Sequence, residues 1–508
     1  MSTGRTIAGA TLVIAFFSLL SRVLGLVRES VIAHRFGASS ATDAYNVSFA
    51  VPSMLFFIIS GALATVVVPV FTEYAERGER REAWRVFSGV FNFTAVIFLV
   101  LSLAGMALAP FLVRLTAPRF DAATAALAVD LTRIMFPLLL FAGLAALFTG
   151  LLNANSIFGV PAFSNSVNNA VIIASAVTLG SLYGIHGLAA GTVLAMACMA
   201  AVQLPPLLRA GFRFRAGFPA AHPGVLKVYH LALPVALGLS LNQLPVLINS
   251  VLASGLAPGS ISSLNYANRL IQFPLALFVM ALGTAVFPTL SGQAARDDRE
   301  ALTGTMARII KITALGIVPA AAGLAALAAP IVALLYQRGA FDARATEMTA
   351  AALLFYSVGL VGQAGVQVLS RGFYALQDTR TPVKFTAVSV LLNLAASLVL
   401  VRFLQHGGLA LAASLANLAN MALLLHFLGR RLPGLLDAGM GRFTVLVLAA
   451  SALMAAAACG VSGALEEAAA SLGALGRLLQ VGCAVTTGVL LYTGVMWKVA
   501  RRQLAGWS

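Results

Sequence analysis

Apolar residues run through this chain in long blocks, separated by short segments that hold most of the Arg, Lys, Asp and Glu. The blocks lie near 8–36, 43–74, 84–113, 122–152, 160–182, 186–208, 225–255, 262–292, 302–328, 346–374, 382–403, 408–429, 442–462 and 475–499. Each is about as long as the ~20-residue helix needed to cross a bilayer, and none shows the period-two alternation of a barrel strand. The pattern predicts an all-α integral membrane protein of about 14 transmembrane helices, with too little polar chain between them for a soluble domain.

The first block departs from this rule. Within SRVLGLVRES, Ser21–Ser30, two arginines and a glutamate interrupt the apolar sequence. On a helix of about 3.6 residues per turn, Ser18, Ser21, Arg22, Gly25, Arg28 and Glu29 fall within about 120° of arc, while Leu19, Leu20, Val23, Leu24, Leu26 and Val27 take the other side. Ionisable groups inside a membrane cost free energy, and one glutamate cannot neutralise two guanidiniums. The face is therefore read as the wall of a wet cavity that receives an anion. The structural alternative is an ion pair of Glu29 with one arginine, or arginines that snorkel to the headgroups.

Composition changes this picture little. The 508 residues are 60% hydrophobic and 10% charged, with 33 Lys and Arg against 17 Asp and Glu, a net charge of +16. In a soluble protein that charge would point to nucleic acid. Here it sits between apolar blocks and reports topology and anionic headgroups, so no nucleic-acid partner is expected. With the N-terminus in the cytoplasm, ERGERREAWR (76–85), RAGFRFR (209–215), ARDDRE (295–300), segments 371–384 and 430–442 and the 498–502 tail all fall inside. They carry about three times the Lys and Arg of the outward loops. An even number of spans then places both termini in the cytoplasm. Arg5 precedes the first block as in a signal sequence, but no convincing cleavage site follows, and a retained first helix is expected.

Reactive groups are sparse. Cys198, Cys459 and Cys483 lie singly in apolar segments, without the spacing of a disulfide framework or a zinc site. No GxxxxGK[ST] motif is present to bind ATP. A membrane enzyme acting on lipid-linked sugars would gather carboxylates or histidines, commonly around a metal. The close acidic pairs, Asp297–Asp298 and Glu466–Glu467, fall in loops, and the histidines are scattered. Neither an enzyme nor a resident metal or cofactor is expected.

The chain also repeats itself. ALATVVVP (62–69) matches ALGTAVFP (281–288), Tyr45 and Pro52 match Tyr266 and Pro274, and Gly150 and Pro161 match Gly372 and Pro382, all at an offset of roughly 220. Two parallel-repeat six-helix lobes follow, 1–220 and 221–440, with two additional transmembrane helices in 441–508. At the same offset, Asn242, Gln243, Asn249 and Ser250 stand at the spacing of Ser21, Arg22, Arg28 and Glu29. In the eighth block Ser262, Asn265, Asn268, Arg269 and Gln272 again share about 120° of arc. These amides fit either a polar cavity wall or interhelical hydrogen bonds. Asp43, in ATDAYN, suits a helix cap or a gate near the outer surface.

SRVLGLVRES, HRFGASSATDAYNVSFAVP, YANRLIQFP, ALGTAVFPTLS and GFYALQDTRTPVK follow one another along the chain. In this order they resemble the MurJ (MviN) family, the lipid II flippases of the multidrug/oligosaccharidyl-lipid/polysaccharide exporter superfamily. The resemblance implies a fourteen-helix fold with two lobes around a central cationic cavity. It also implies transfer of the undecaprenyl-pyrophosphate-linked peptidoglycan precursor from the inner to the outer leaflet of the bacterial cytoplasmic membrane by alternating access. A paralogue carrying another polyprenyl-linked glycan, such as an exopolysaccharide repeat unit, is the alternative. On the matching positions, Arg22, Arg28 and Arg269 would be the cavity arginines and Asp43 the acidic residue of the outward gate. The headgroup would need partners such as Ser21, Asn242, Asn249 and Asn265. The second helix departs from the family, with Phe56, Phe57 and Ser60 where members carry a basic pair and a glutamate; Asn268 and Gln272 replace acidic residues. Membrane lipids and the cell-wall synthesis machinery are the implied partners. Membrane potential, worth about 2.3 kcal/mol per charge per 100 mV, or a monovalent cation would supply the energy.

Overall fold

A computed structural model of the chain describes residues 2–76, 80–155, 157–211, 223–240 and 243–504, and the regular structure among them is helical throughout. The chain divides into two compact units, Met1–Gly259 and Ser260–Ser508.

The first unit contains α1 (Ser2–Phe36), α2 (Ser40–Glu76), α3 (Arg80–Ala107), α4 (Ala109–Thr116), α5 (Ala122–Met135), α6 (Leu138–Ala154), α7 (Gly159–Val177), α8 (Leu179–Arg209), α9 (Pro223–Ser240) and α10 (Leu244–Ala253). Two apolar cores lie along α2. Its first half packs with Ile32, Leu131, Met135, Leu138 and Leu188; its second half, through Val66 and Val70, packs with Phe87, Phe148, Leu151, Leu207 and Val228. Small residues let these helices approach: a Cβ on Gly143 would lie 1.9 Å from the Phe98 ring. In lipid, where tails solvate Leu as well as protein does, such close packing replaces the hydrophobic effect as the force between helices. The packing division falls after the 220/221 boundary expected from the repeat, which describes sequence phase. Val225, Val228 and Ala232 of α9 join the α2–α3 core, and Lys227 pairs with Glu73 at 2.8 Å.

The second unit contains α11 (Ser260–Leu275), a π-helical turn (Ala276–Met280), α12 (Ala281–Ala295), α13 (Arg299–Ala326), α14 (Ala328–Tyr336), α15 (Ala343–Ala375), α16 (Arg380–Arg431), α17 (Ala438–Ala464), α18 (Glu466–Ser471) and α19 (Gly473–Leu504). α16 is two rods. Its backbone turns at Gln405 (φ 49, ψ −129), and Ser389 Oγ of the first half donates to Ala416 O of the second at 3.0 Å.

The repeat is visible in geometry. Gly184 in α8 has φ 59 and ψ −140, the conformation that Gln405 takes about 220 residues later. Just beyond these turns, Gly187 abuts the Leu179 carbonyl and Gly408 the Leu400 carbonyl. Asp121 and Asp342 cap α5 and α15, each after a short helix, α4 or α14. The spans they open, Ala122–Ala154 and Ala343–Ala375, are both 33 residues long.

The last helices are appended to the second unit. α17 and α19 bury Phe443, Val447, Met454, Tyr492 and Met496 with residues of α13, and Tyr492 donates to Leu315 O at 2.9 Å. Arg477 donates to Gln337 O at 3.0 Å, satisfying a carbonyl at the C-terminus of α14. An apolar cavity of about 410 Å³ lies among the π turn, α13, α17 and α19.

Among the described residues ten helices are long and apolar enough to cross a membrane, α16 being one of the ten. The estimate of fourteen rests on the apolar blocks of the sequence. α7, carrying SNSVNN, and α11, with only 16 residues, are helices outside that ten.

Candidate functional site

The polar face of α1 lies against α7 in the first unit. Ser21, Arg22, Arg28 and Glu29 are all partly buried. Arg28 Nη2 pairs with Glu29 Oε1 at 2.5 Å, and the two side chains are 17% and 14% exposed. A second acceptor comes from α7, because Arg28 Nη1 donates to Asn169 Oδ1 at 3.0 Å. The Asn169 amide in turn donates to Ser21, at 3.0 Å to its carbonyl and 3.2 Å to its hydroxyl. The helix makes this possible. Ser21 and Arg28 are two turns apart on one face, and a long helical side chain leans toward its own N-terminus, which carries the guanidinium back toward Ser21. Of the two sequence readings of Glu29, the ion pair with one arginine is present in the structure, and that arginine is Arg28. Asn169 was not singled out from the sequence; the polar run SNSVNN inside an apolar block was its signal.

The turn after α1 forms a second cluster. Asp43, 3% exposed, accepts a hydrogen bond from the Gly259 N–H on Oδ2 at 2.7 Å. Gly259 has φ +89, and a Cβ there would lie 2.3 Å from the Ala38 carbonyl, so only glycine fits the approach. The capping role at α2 falls to Ser39, whose Oγ accepts from Thr42 N at 3.4 Å. Thr42 Oγ1 donates to the Gly37 carbonyl at 2.9 Å. Asp43 thus holds the last turn of the first unit against its first interhelical loop. Gly259, like Asn169, is a functional candidate that sequence reading passed over.

The remaining predicted residues are placed as follows. Asn249 lies on α10, and its Oδ1 is buried with no hydrogen-bond partner among the described residues. Asn242 lies outside the described residues. In the second unit, Asn265, Arg269 and Gln272 are exposed on one face of α11. Asn265 donates to Ile261 O at 3.0 Å, and Gln272 to Asn268 Oδ1 at 3.4 Å. In the second helix, Phe56 packs on the first-unit core, Phe57 is exposed, and the Ser60 hydroxyl is buried without a hydrogen-bond partner among the described residues. Among the described residues no group of three His, Cys, Asp or Glu could hold a metal ion.

The helical bundle, repeated at an offset of about 220 residues, is a fold that solved structures share. One solved structure, "Lipid II flippase MurJ, inward closed conformation", is 24% identical with a TM-score of 0.81, over 97% of this chain and 100% of that one. An inward-facing multidrug resistance MATE family transporter of the MOP superfamily is 15% identical with a TM-score of 0.70, over 84% of this chain and 98% of that one. The family model for lipid II flippase MurJ matches residues 32–474. The chain is 33% identical over 499 residues to the lipid II flippase MurJ of Burkholderia cenocepacia, covering 96% of each. It is also 33% identical over 431 residues to the probable lipid II flippase MurJ of Vibrio cholerae, covering 81% of each. The chain belongs to the lipid II flippase MurJ family.

Proposed function

We infer that this protein flips lipid II from the inner to the outer leaflet of the bacterial cytoplasmic membrane by alternating access. The observation that carries the reading is its 33% identity, over 96% of both chains, to a curated lipid II flippase. The curated relatives favour lipid II over another polyprenyl-linked glycan. It is a transporter and not an enzyme. The α1 site has suitable chemistry: guanidinium forks bind phosphate oxygens bidentately and keep their charge in a low-dielectric cavity where a lysine loses its proton more readily. Arg28 and Arg22 in the first unit, with Arg269 and Asn265 in the second, supply the cations and amides that a diphosphate-linked sugar needs. The Asp43–Gly259 bond serves as part of the outward gate, made and broken in the cycle. Both termini face the cytoplasm by the Lys and Arg asymmetry of the loops. Membrane potential returns the empty positive site, each charge being worth about 2.3 kcal/mol per 100 mV.

The test is replacement. In a bacterium depleted of its own lipid II flippase, this chain should restore growth and the appearance of lipid II on the outer leaflet. Growth failure with the protein inserted and abundant, and lipid II accumulating inside, would sink the reading.

A further inference from the structure

We propose that Asn169 is a positioning residue for the anion site, aiming the Arg28 guanidinium without discharging it. The proposal rests on the reading of Arg28 as a diphosphate ligand and adds a residue from another helix. Two observations carry it. The first is that the Asn169 amide has one orientation. Its NH₂ donates to the Ser21 carbonyl and hydroxyl, so its oxygen must face Arg28, where it accepts from Nη1 at 3.0 Å. An amide whose two ends are indistinguishable by shape is here fixed by its partners. The second is the division of labour around Arg28. Glu29 takes Nη2 and supplies a full negative charge, whereas Asn169 takes Nη1 and supplies only a dipole.

A second carboxylate at 169 would hold the guanidinium as firmly but would leave the Arg28–Glu29–169 cluster net negative, which repels a diphosphate. An alanine would remove this acceptor from Nη1 and loosen the aim of a guanidinium that Glu29 still holds through Nη2. The amide avoids both outcomes. It also bonds two turns of α1 at once, since Ser21 and Arg28 are separated by about 10.5 Å of helical rise. A shift of α7 along α1 would therefore strain the bonds to Ser21 and to the Arg28 guanidinium together. Asn169 is buried in the polar run of α7, and a buried amide persists only if its hydrogen bonds are made.

The test is a double-mutant cycle on the full-length protein in nanodiscs, reading the dissociation constant for lipid II. Asn169→Ala should weaken binding about tenfold, the size of losing a hydrogen bond to a charged group. In the Arg28→Ala background the same change should do nothing further, because the residue it acts through is gone. Equal losses in both backgrounds would overturn the proposal and leave Asn169 as packing between α1 and α7. Wild-type affinity in Arg28→Ala alone would overturn the anion-site reading itself and the proposal with it. Asn169→Asp, equal in size and still an acceptor, provides the second arm. It should weaken lipid II at least as much as alanine does, and wild-type affinity for it would refute the need for a neutral acceptor.

Discussion

At the scale of single residues, Arg28 is where architecture and recognition can be separated. Its pair with Glu29 is real, and buried pairs are often replaceable by neutral groups at little cost, whereas removing one partner strands the other. If the pair were only architecture, Arg28→Ala, Glu29→Ala together should restore what Arg28→Ala alone destroys. The expectation is the opposite: export of lipid II should be abolished equally in the single and double variants, with the protein still inserted and abundant. Arg28→Lys should keep partial activity, because the charge survives and the bidentate fork does not. Near wild-type export by the double variant would remove Arg28 from the mechanism. The absence of cations at Phe56 and Phe57 sharpens this expectation, since neither can substitute for a lost arginine.

At the scale of elements, the turn inside α16 stores strain that its twin in α8 avoids. Gly184 and Gln405 both take a positive φ with ψ near that of the first central residue of a type II′ turn. Glycine adopts this freely; a residue with a Cβ does so at a cost of about 1 kcal/mol or more. Gln405→Gly should therefore raise the thermal unfolding midpoint in detergent, and Gly184→Ala should lower it even though no atom of the described residues lies within 4 Å of the added Cβ. An unchanged midpoint in both would show that the turns relax. The loop between α15 and α16 gives a second, pH-dependent case. Burial raises the Asp378 carboxyl, but hydrogen bonds from Thr381 and Arg380 and the charge of Arg431 outweigh it and hold the group below its ordinary 3.8. Arg431 lies 2.7 Å away. A carboxyl held low contributes stability above its ordinary value and loses it as pH falls through the lowered one. Asp378→Asn should be less stable than wild type at neutral pH and converge with it in strong acid, read by unfolding across a pH series. A constant gap at all pH values would assign the effect to shape and not to charge.

At the scale of the whole molecule, the prediction concerns sidedness. A cysteine at Arg296, in a basic loop, should react with an impermeant reagent only after the inner membrane is opened, whereas one at Ala340 should react from outside. Both positions are exposed. Labelling of the two from the same face would reject an odd number of crossings between them and with it the inside placement of the basic loops. Much of this molecule was legible in its sequence. Apolar blocks of bilayer length dictated helices, because a backbone in lipid must satisfy its own hydrogen bonds. The spacing of Ser21, Arg22, Arg28 and Glu29 dictated a common face, because helical periodicity is local. Matches at an offset of roughly 220 dictated the repeat that Gly184 and Gln405 display. What sequence could not supply was the partner across space. Asn169 meets Arg28 from 141 residues away, and Gly259 meets Asp43 from 216 away. Such contacts depend on which helices pack together and at what depth, and in a chain where most faces are equally apolar no local pattern encodes that choice. The tertiary structure decided it through close-packed glycines and a few buried hydrogen bonds, each of which exists only once both helices are in place.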